Sequence, residues 1–430
     1  MSSVRDLPAL LATSPGRRRL EHIFMYRTWP LLWRAAGIYR QTMLARTRVV
    51  AVIGTYGKST TARAISAALL DDLSLQPPRN MVGYVARRVF ATRPGARHRI
   101  FETGIDGPGQ MLRYHRCLHP DVVVVTSVGS EHNRSFHTLE QTRAEKVKML
   151  EGLRSSGLAV LNGDDPNVTW MRSRTRAKVV TFGLGGNHDV VAEDMRMEWP
   201  NGTGFRLRVR DEIRQVRIRL LGEPGVRAAV AGLAVAVGEG RDLGAAIRAI
   251  EALEPTPSRL QPVPLANGAW LLRDEFKSNL ETIDTALDVL AQISATKRLV
   301  VIGDISEPPA TQGPLYRRLG ARLAAVAARV IVIGENHKRY AAGAVKSGYS
   351  RDVFVNAGND IRAAIQATRT EMCSDSVVLI KGRNTQRLER VALALMEHSV
   401  KCGVVMCQAK IRCEACGMLQ RGWGERRFVV

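Results

Sequence analysis

The segment that most constrains this chain is an apolar run that breaks into glycine and then into a helix. It reads Val50-Ala51-Val52-Ile53-Gly54-Thr55-Tyr56-Gly57-Lys58-Ser59-Thr60-Thr61, with helix-forming residues continuing through 62–70. A short β-branched run before Gly-x-x-Gly-Lys-Ser-Thr predicts a buried strand, a tight loop and a helix. Glycines let backbone amides close around phosphate oxygens, and the helix N-terminus adds partial positive charge. Lys58 suits the outer phosphates and Ser59 a magnesium ion. Gly54, Thr55, Gly57, Lys58, Ser59 and Thr60 are therefore the expected nucleoside triphosphate cradle. Only two residues separate the glycines, against four in the strict Walker pattern, which points to a subclass.

A strand that opens into a phosphate loop implies an α/β domain, and the rest of the chain agrees. Apolar runs at 122–125 and 179–182 alternate with longer helical stretches, as in a mainly parallel sheet with crossover helices. A second α/β unit is expected from about Leu260, with strands at 270–272, 299–302, 330–333 and 377–380 and helices at 280–295 and 315–328. The alternation of Arg with apolar residues from 189 to 221, around Asn201-Gly202, predicts an antiparallel hairpin on the first domain. The fold class expected is a central P-loop domain with a mainly parallel sheet, plus a C-terminal Rossmann-like α/β domain. The divisions are 1–47, a basic leader; 48–259, the central ATP-binding domain; 260–400, the C-terminal domain; and 401–430, a cysteine-rich tail.

Hydrophobic residues at 45% and charged residues at 24% fit a folded globular chain and exclude a disordered or fibrous one. The net charge of +23 favours anionic partners. Its basic residues are dispersed and no nucleic-acid-binding signature accompanies them, which argues against nucleic acid. No apolar stretch is long enough to span a bilayer and the start lacks a signal peptide's apolar core, so a cytoplasmic protein is expected. The leader carries Trp29, Leu31, Leu32 and Trp33 among arginines. It reads as a helix on the main domain, or more sharply as a peripheral contact with an anionic membrane or a lipid-linked substrate.

From the phosphate loop onward the chain resembles the Mur ligases, whose loop has the form Gly-Thr-x-Gly-Lys-Ser/Thr-Thr. Phe101-Glu102-Thr103-Gly104 with Gly107-Pro108-Gly109 is similar to that family's acidic magnesium-ligand segment. Thr126-Ser127-Val128-Gly129-Ser130-Glu131-His132 resembles the strand end giving a second magnesium ligand. Lys146, fourteen residues after His132, stands at the spacing of a lysine that becomes carbamylated and binds metal. Leu161-Asn162-Gly163-Asp164-Asp165-Pro166 is similar to the Asn-x-Asp-Asp-Pro turn. Ser258-Arg259 resembles a Gly-Arg pair whose arginine reaches the nucleotide phosphates. Asp274-Glu275-Phe276-Lys277 resembles a loop in which a carboxylate holds the ribose and a lysine nears the γ-phosphate. Asp274 is favoured over Glu275 for that carboxylate. Val301-Ile302-Gly303-Asp304-Ile305-Ser306-Glu307 resembles the segment of the D-alanyl-D-alanine-adding branch, MurF.

The resemblance, spanning residues 49 to 400, implies an ATP- and Mg²⁺-dependent ligase that joins a carboxylate to an amine through an acyl phosphate. Its implied catalytic groups are Lys58, Glu102, His132, Lys146 and Arg259. ATP would be held by the loop together with Arg259, Asp274 and Lys277, and Mg²⁺ by Ser59, Glu102, His132 and carbamylated Lys146. Arg259 and Lys277 would arrive as the C-terminal domain closes. The substrates implied are small-molecule or peptide carboxylates and amines. Two departures qualify this. Gly222 is followed by Glu223-Pro224-Gly225-Val226-Arg227 where the family has asparagines that help bind adenine. The 47 residues before the core are too few for the family's sugar-nucleotide domain, so a non-standard acceptor is expected. Poly-γ-glutamate ligation and a nucleotide-binding regulatory role without ligation are the alternatives.

The tail spaces Cys402-x4-Cys407-x5-Cys413-x2-Cys416, four thiols enough for a structural Zn²⁺, with an iron–sulfur cluster or free thiols as the alternatives.

Overall fold

The computed structural model describes residues 11, 13–70, 82–129, 135–308, 312–409, 411–424, 426, 428 and 429. It divides into two compact units, Met25–Glu254 and Pro255–Val430, the latter with the stretch through Phe24.

In the first unit an eight-stranded sheet runs in the order β2-β1-β3-β4-β5-β6-β7-β8. The strands are β1 (Arg48–Ile53), β2 (His98–Glu102), β3 (Val122–Val125), β4 (Leu158–Asn162), β5 (Lys178–Gly183), β6 (Val190–Glu198), β7 (Gly202–Val209) and β8 (Glu212–Ile218). β1 to β5 pair in parallel, and β6 joins β5 in parallel through a two-residue register. The predicted hairpin at Asn201-Gly202 is the β6–β7 turn, and β8 extends it antiparallel. β3 is four valines, every one buried, as a strand covered on both faces requires.

Alternation along β1 separates two layers. Val50 and Val52 face a core shared with α2 (Lys58–Ala68), α6 (Gly222–Gly238) and α7 (Leu243–Glu251). Val49, Ala51 and Ile53 face the other core, built with α1 (Ser14–Thr42), α3 (Val82–Phe90) and α4 (Gln110–Leu118). α1 contributes Trp29 and Ala36 to that core. Arg40 on the same helix is buried. It donates to the Leu118 carbonyl at 3.0 Å and to Asp121 at 2.8 Å, satisfying a carbonyl at the end of α4.

The second unit holds a six-stranded sheet in the order β13-β12-β11-β14-β10-β9. Its strands are β9 (Gln261–Pro264), β10 (Trp270–Asp274), β11 (Lys297–Ile302), β12 (Arg329–Val332), β13 (Phe354–Asn356) and β14 (Ser376–Lys381). All pair in parallel except β9, an antiparallel edge strand. Pro262 and Pro264 lie in β9, where one side needs no ladder donor. In the tail, β15 (Met406–Cys407) and β16 (Phe428–Val429) form a short parallel pair. Among the described residues no helix is long and apolar enough to cross a membrane.

α2 and α6 pass so closely that a Cβ on Gly232 would stand 2.8 Å from the backbone of Ala64. Gly232→Val is expected to destabilise the first unit by about 1–3 kcal/mol through overpacking. Urea unfolding checks this, and an unchanged midpoint would refute the close crossing.

Candidate functional site

The loop between β1 and α2 is shaped by its two glycines and by the end of β3. Gly54 has φ 145° and Gly57 φ 82°, both in the left-handed half of the map. A Cβ at Gly54 would lie 2.0 Å from the Thr126 hydroxyl, so only glycine lets the loop settle there. Thr55 N donates to the Ser127 carbonyl at 2.9 Å and Tyr56 N to the Ser127 hydroxyl at 3.0 Å. Gly129 N donates to the Thr55 hydroxyl at 2.8 Å, and Thr126 Oγ1 donates to the Tyr56 carbonyl at 2.6 Å. Lys58 is buried and donates to the carbonyls of Gly54 and Thr55 at 2.8 and 2.9 Å, lying over the loop from within the first turn of α2. Ser59 Oγ donates to Glu102 Oε2 at 2.7 Å. β2, paired beside β1, delivers that carboxylate.

A buried hydroxyl next to a buried carboxylate at the mouth of a phosphate loop is an oxygen donor set suited to a hard cation such as Mg²⁺. Lys146 ends α5 (Leu139–Lys146) and is 2% exposed, so it is no solvated helix-face lysine. His132 lies outside the described residues. The Asn162–Asp165 turn is structural glue around this site. Asn162 Nδ2 donates to the Thr126 carbonyl at 2.8 Å, and Asp165 accepts from Val128 N at 2.8 Å while capping the helix that follows it. Arg227, in the stretch that replaces the family's asparagines, donates to Asn162 Oδ1 at 3.4 Å and pairs with Asp164. Asp164 also meets His188 Nε2 at 3.2 Å.

In the second unit the residues named from sequence cluster at the C-terminal end of β10. Ser258 has φ 59°, a conformation that glycine adopts more easily, which accounts for the glycine of the pattern it resembles. Its hydroxyl donates to Glu275 at 2.9 Å. Arg259 lies 4.8 Å over the ring of Phe276, and Lys277 follows on the same loop. The two candidate ribose carboxylates are both turned inward. Asp274 accepts from Lys381 Nζ at 2.6 Å and from Leu260 N at 3.3 Å. Glu275 is held by Arg273 at 2.7 Å. Burial pushes both carboxyls above the usual range, opposed by Lys381 and Arg273 respectively, and burial lowers the Lys381 ammonium.

Sequence reasoning missed a second polar cluster on the same side of this sheet. Asp304, just after β11, accepts from Asn336 at 3.2 Å, Arg383 at 3.2 Å and Gln386 at 3.1 Å. Burial raises its carboxyl, with Arg383 pulling the other way. These side chains follow the C-terminal ends of three parallel strands, where open α/β sheets place ligands. Lys381-Gly382-Arg383, closing an apolar strand, was the available signal, and it looked like any strand end.

The expected zinc ligands require correction. Cys402, Cys407, Cys413 and Cys416 do line one small cavity, together with Arg387 and Arg390. Among the described residues, however, no group of three or more metal-donor side chains is placed to hold an ion. Two of the thiols are engaged otherwise. Cys413 is hydrogen-bonded with Glu389, and burial followed by that carboxylate raises it well above its ordinary value. Cys402 Sγ accepts from Arg390 at 3.6 Å. Two guanidiniums in the lining also oppose a cation electrostatically.

The profile described as Mur ligase middle domain matches residues 52–236, and that described as Mur ligase, glutamate ligase domain matches 258–384. The UDP-N-acetylmuramoyl-tripeptide–D-alanyl-D-alanine ligase of Escherichia coli is 26% identical over 401 residues, 91% of this chain and 85% of that one. The enzyme of the same name from Mycobacterium tuberculosis is 28% identical over 397 residues, 86% and 77% of the two chains. The crystal structure of MurF from Acinetobacter baumannii has the same fold, with TM-score 0.75, 22% identity and coverage of 86% and 81%. MurF from Thermotoga maritima in complex with ADP gives 0.74, 22%, 86% and 83%.

The Asp274–Lys381 pair ties β10 to β14 at the strand ends. Lys381→Met leaves a buried carboxylate without its counter-ion and is expected to cost about 3 kcal/mol, much of it recovered in Asp274→Asn/Lys381→Met. Chemical denaturation of the single and double variants checks this. A neutral Lys381→Met would remove the pair from the forces that hold these ends together.

Proposed function

This chain belongs to the Mur ligase family and is an ATP-dependent acid–amino-acid ligase, and on that premise we propose how its residues divide the work of making an amide bond through an acyl phosphate. The observation that carries the reading is the contact of Ser59 with Glu102 at 2.7 Å beside buried Lys58, at the N-terminus of α2.

A carboxylate does not react with an amine at neutral pH because its oxygen is a poor leaving group. The carboxylate oxygen therefore attacks the γ-phosphorus of ATP. The new O–P bond forms as the bond to the β,γ-bridging oxygen breaks, and ADP departs. The amine nitrogen then attacks the acyl carbon, phosphate leaves with the C–O pair, and the amine proton passes to solvent. Amides of the loop and of the first turn of α2 bind the phosphates. Lys58 moves from the loop carbonyls to phosphate oxygens, and its charge offsets the negative charge that concentrates there. Ser59, Glu102 and Lys146, the last once CO2 has converted its amine to an anionic carbamate, would hold Mg²⁺, which would supply charge neutralisation and orient the phosphoryl oxygens. His132 is proposed with them on the resemblance alone. On the resemblance alone, Arg259 and Lys277 are proposed as further cations for the phosphates and Asp274 as the ribose contact. That role requires Asp274 to exchange part of its tie to Lys381 for the sugar.

The relatives are named for a UDP-sugar tripeptide and D-alanyl-D-alanine. The amine proposed here is of the same dipeptide class. The acceptor proposed is a carboxylated anion other than that tripeptide, and the net charge of +23 favours an anionic substrate.

Phosphate release from ATP is expected only when a carboxylate acceptor and an amine are both present. Lys58→Ala should lower that turnover by at least about a hundredfold with an unchanged melting curve. Turnover surviving in Lys58→Ala would move the phosphate site elsewhere. Full activity with the UDP-sugar tripeptide would overturn the acceptor, and chain extension of poly-γ-glutamate would replace it.

A further inference from the structure

α1 is apolar on two opposite faces, one packed into the core and the other exposed among the described residues. Trp29 and Ala36 point into the core of the first unit, and Arg40 is buried beside them. On the opposite side Leu31 is 73% exposed and Ile38 is 64% exposed. They stand seven residues apart, two turns along one line, with exposed Ala35 between them. Arg27 and Arg34, each four residues before one of these, are exposed and edge the stripe. The Arg34 guanidinium lies 4.9 Å over half-buried Trp33, an aromatic–cation pair with one apolar and one wet end. A single exposed apolar side chain is ordinary on a soluble protein. A stripe of them bordered by cations is not, and its charge is one-sided. From His22 to Leu70 the sequence contains no Asp or Glu.

We propose that the outer face of α1 docks on an anionic lipid bilayer, with Leu31 and Ile38 inserted at the headgroup boundary and Arg27 and Arg34 against lipid phosphates. Charge selects this occupant. A partner protein would have to present an acidic apolar groove, and a second copy of this chain would bring the same arginines face to face. A bilayer rich in phosphatidylglycerol offers dense negative charge above a hydrocarbon layer, the two chemistries this face displays side by side. The helix needs no folding transition to bind, because its inner face is already fixed by Trp29, Ala36 and Arg40. The inference stands apart from the ligase reading, and no nucleotide or substrate enters its test.

Co-sedimentation of the full chain with vesicles of equal parts phosphatidylglycerol and phosphatidylcholine is the measurement, with pure phosphatidylcholine as reference. Wild type is expected to bind the anionic vesicles, and less so as salt is raised. The charge-neutral variant Leu31→Ser/Ile38→Ser should lower the partition coefficient about tenfold or more. Arg27→Gln/Arg34→Gln should lower it about fivefold per arginine on anionic vesicles only. Both pairs are solvent-exposed, so melting curves should match wild type. Failure of wild type to bind would overturn the proposal. So would wild-type binding by Leu31→Ser/Ile38→Ser, which would mark adsorption by diffuse positive charge. A concentration-dependent dimer that this variant abolishes would instead assign the face to self-association.

Discussion

The phosphate loop exists in this form because its first glycine can lie against the end of the neighbouring strand. A side chain at position 54 would occupy the place of the Thr126 hydroxyl, and that hydroxyl is itself spent holding the Tyr56 carbonyl. The loop is thus clamped from below by Thr126, Ser127 and Gly129 before any ligand is considered. Clamping fixes where α2 begins, and so where its amides point and where Lys58 and Ser59 start. The pairing of β2 with β1 then sets the reach of Glu102. Three adjacent parallel strands therefore converge on one group of atoms, and preorganisation of this kind is what phosphoryl transfer asks of a protein.

The second unit relies on buried charge instead. Arg273, Asp274, Glu275 and Lys381 are all buried around the ends of β10 and β14. Desolvation disfavours each of them, and each survives by a partner within 2.6–2.7 Å. Such a cluster is a weak source of stability but a strong selector of geometry, since a shifted strand would strand a charge. It orients the loop bearing Arg259 and Lys277 by holding Ser258 on one side and Asp274 on the other.

Much of this was legible in sequence because the strands are apolar on both faces and end in glycine or charge. The β3 valines and the strand–loop–helix at 48–68 are visible without coordinates. The hairpin at Asn201-Gly202 was equally visible, since turn chemistry is local. What stayed hidden was partnership across distance. Lys381 lies 107 residues from Asp274, and nothing in either local pattern says that one neutralises the other. Asp304 sat inside a recognisable segment, yet its ties to Asn336, Arg383 and Gln386 depend on strand order. The cysteines misled for a related reason. Their spacing permits a tetrahedral ion, whereas Glu389, Arg387 and Arg390 arrive from a helix and turn that the spacing does not mention.

The tail also contributes to that buried cluster. Arg412 donates to Ser258 at 2.8 Å, and Glu414 pairs with Arg273 at 2.9 Å. Both residues leave the ribosome after every strand of the six-stranded sheet has been made. Before they are made, Glu275 is the carboxylate that answers Arg273 among the described residues, and the Ser258 hydroxyl lacks one of its three side-chain partners, Glu275, Arg273 and Arg412. The set of the Ser258–Arg259 loop therefore rests in part on residues made after the whole sheet, so the loop's geometry is shared between the sheet and the segment that follows it.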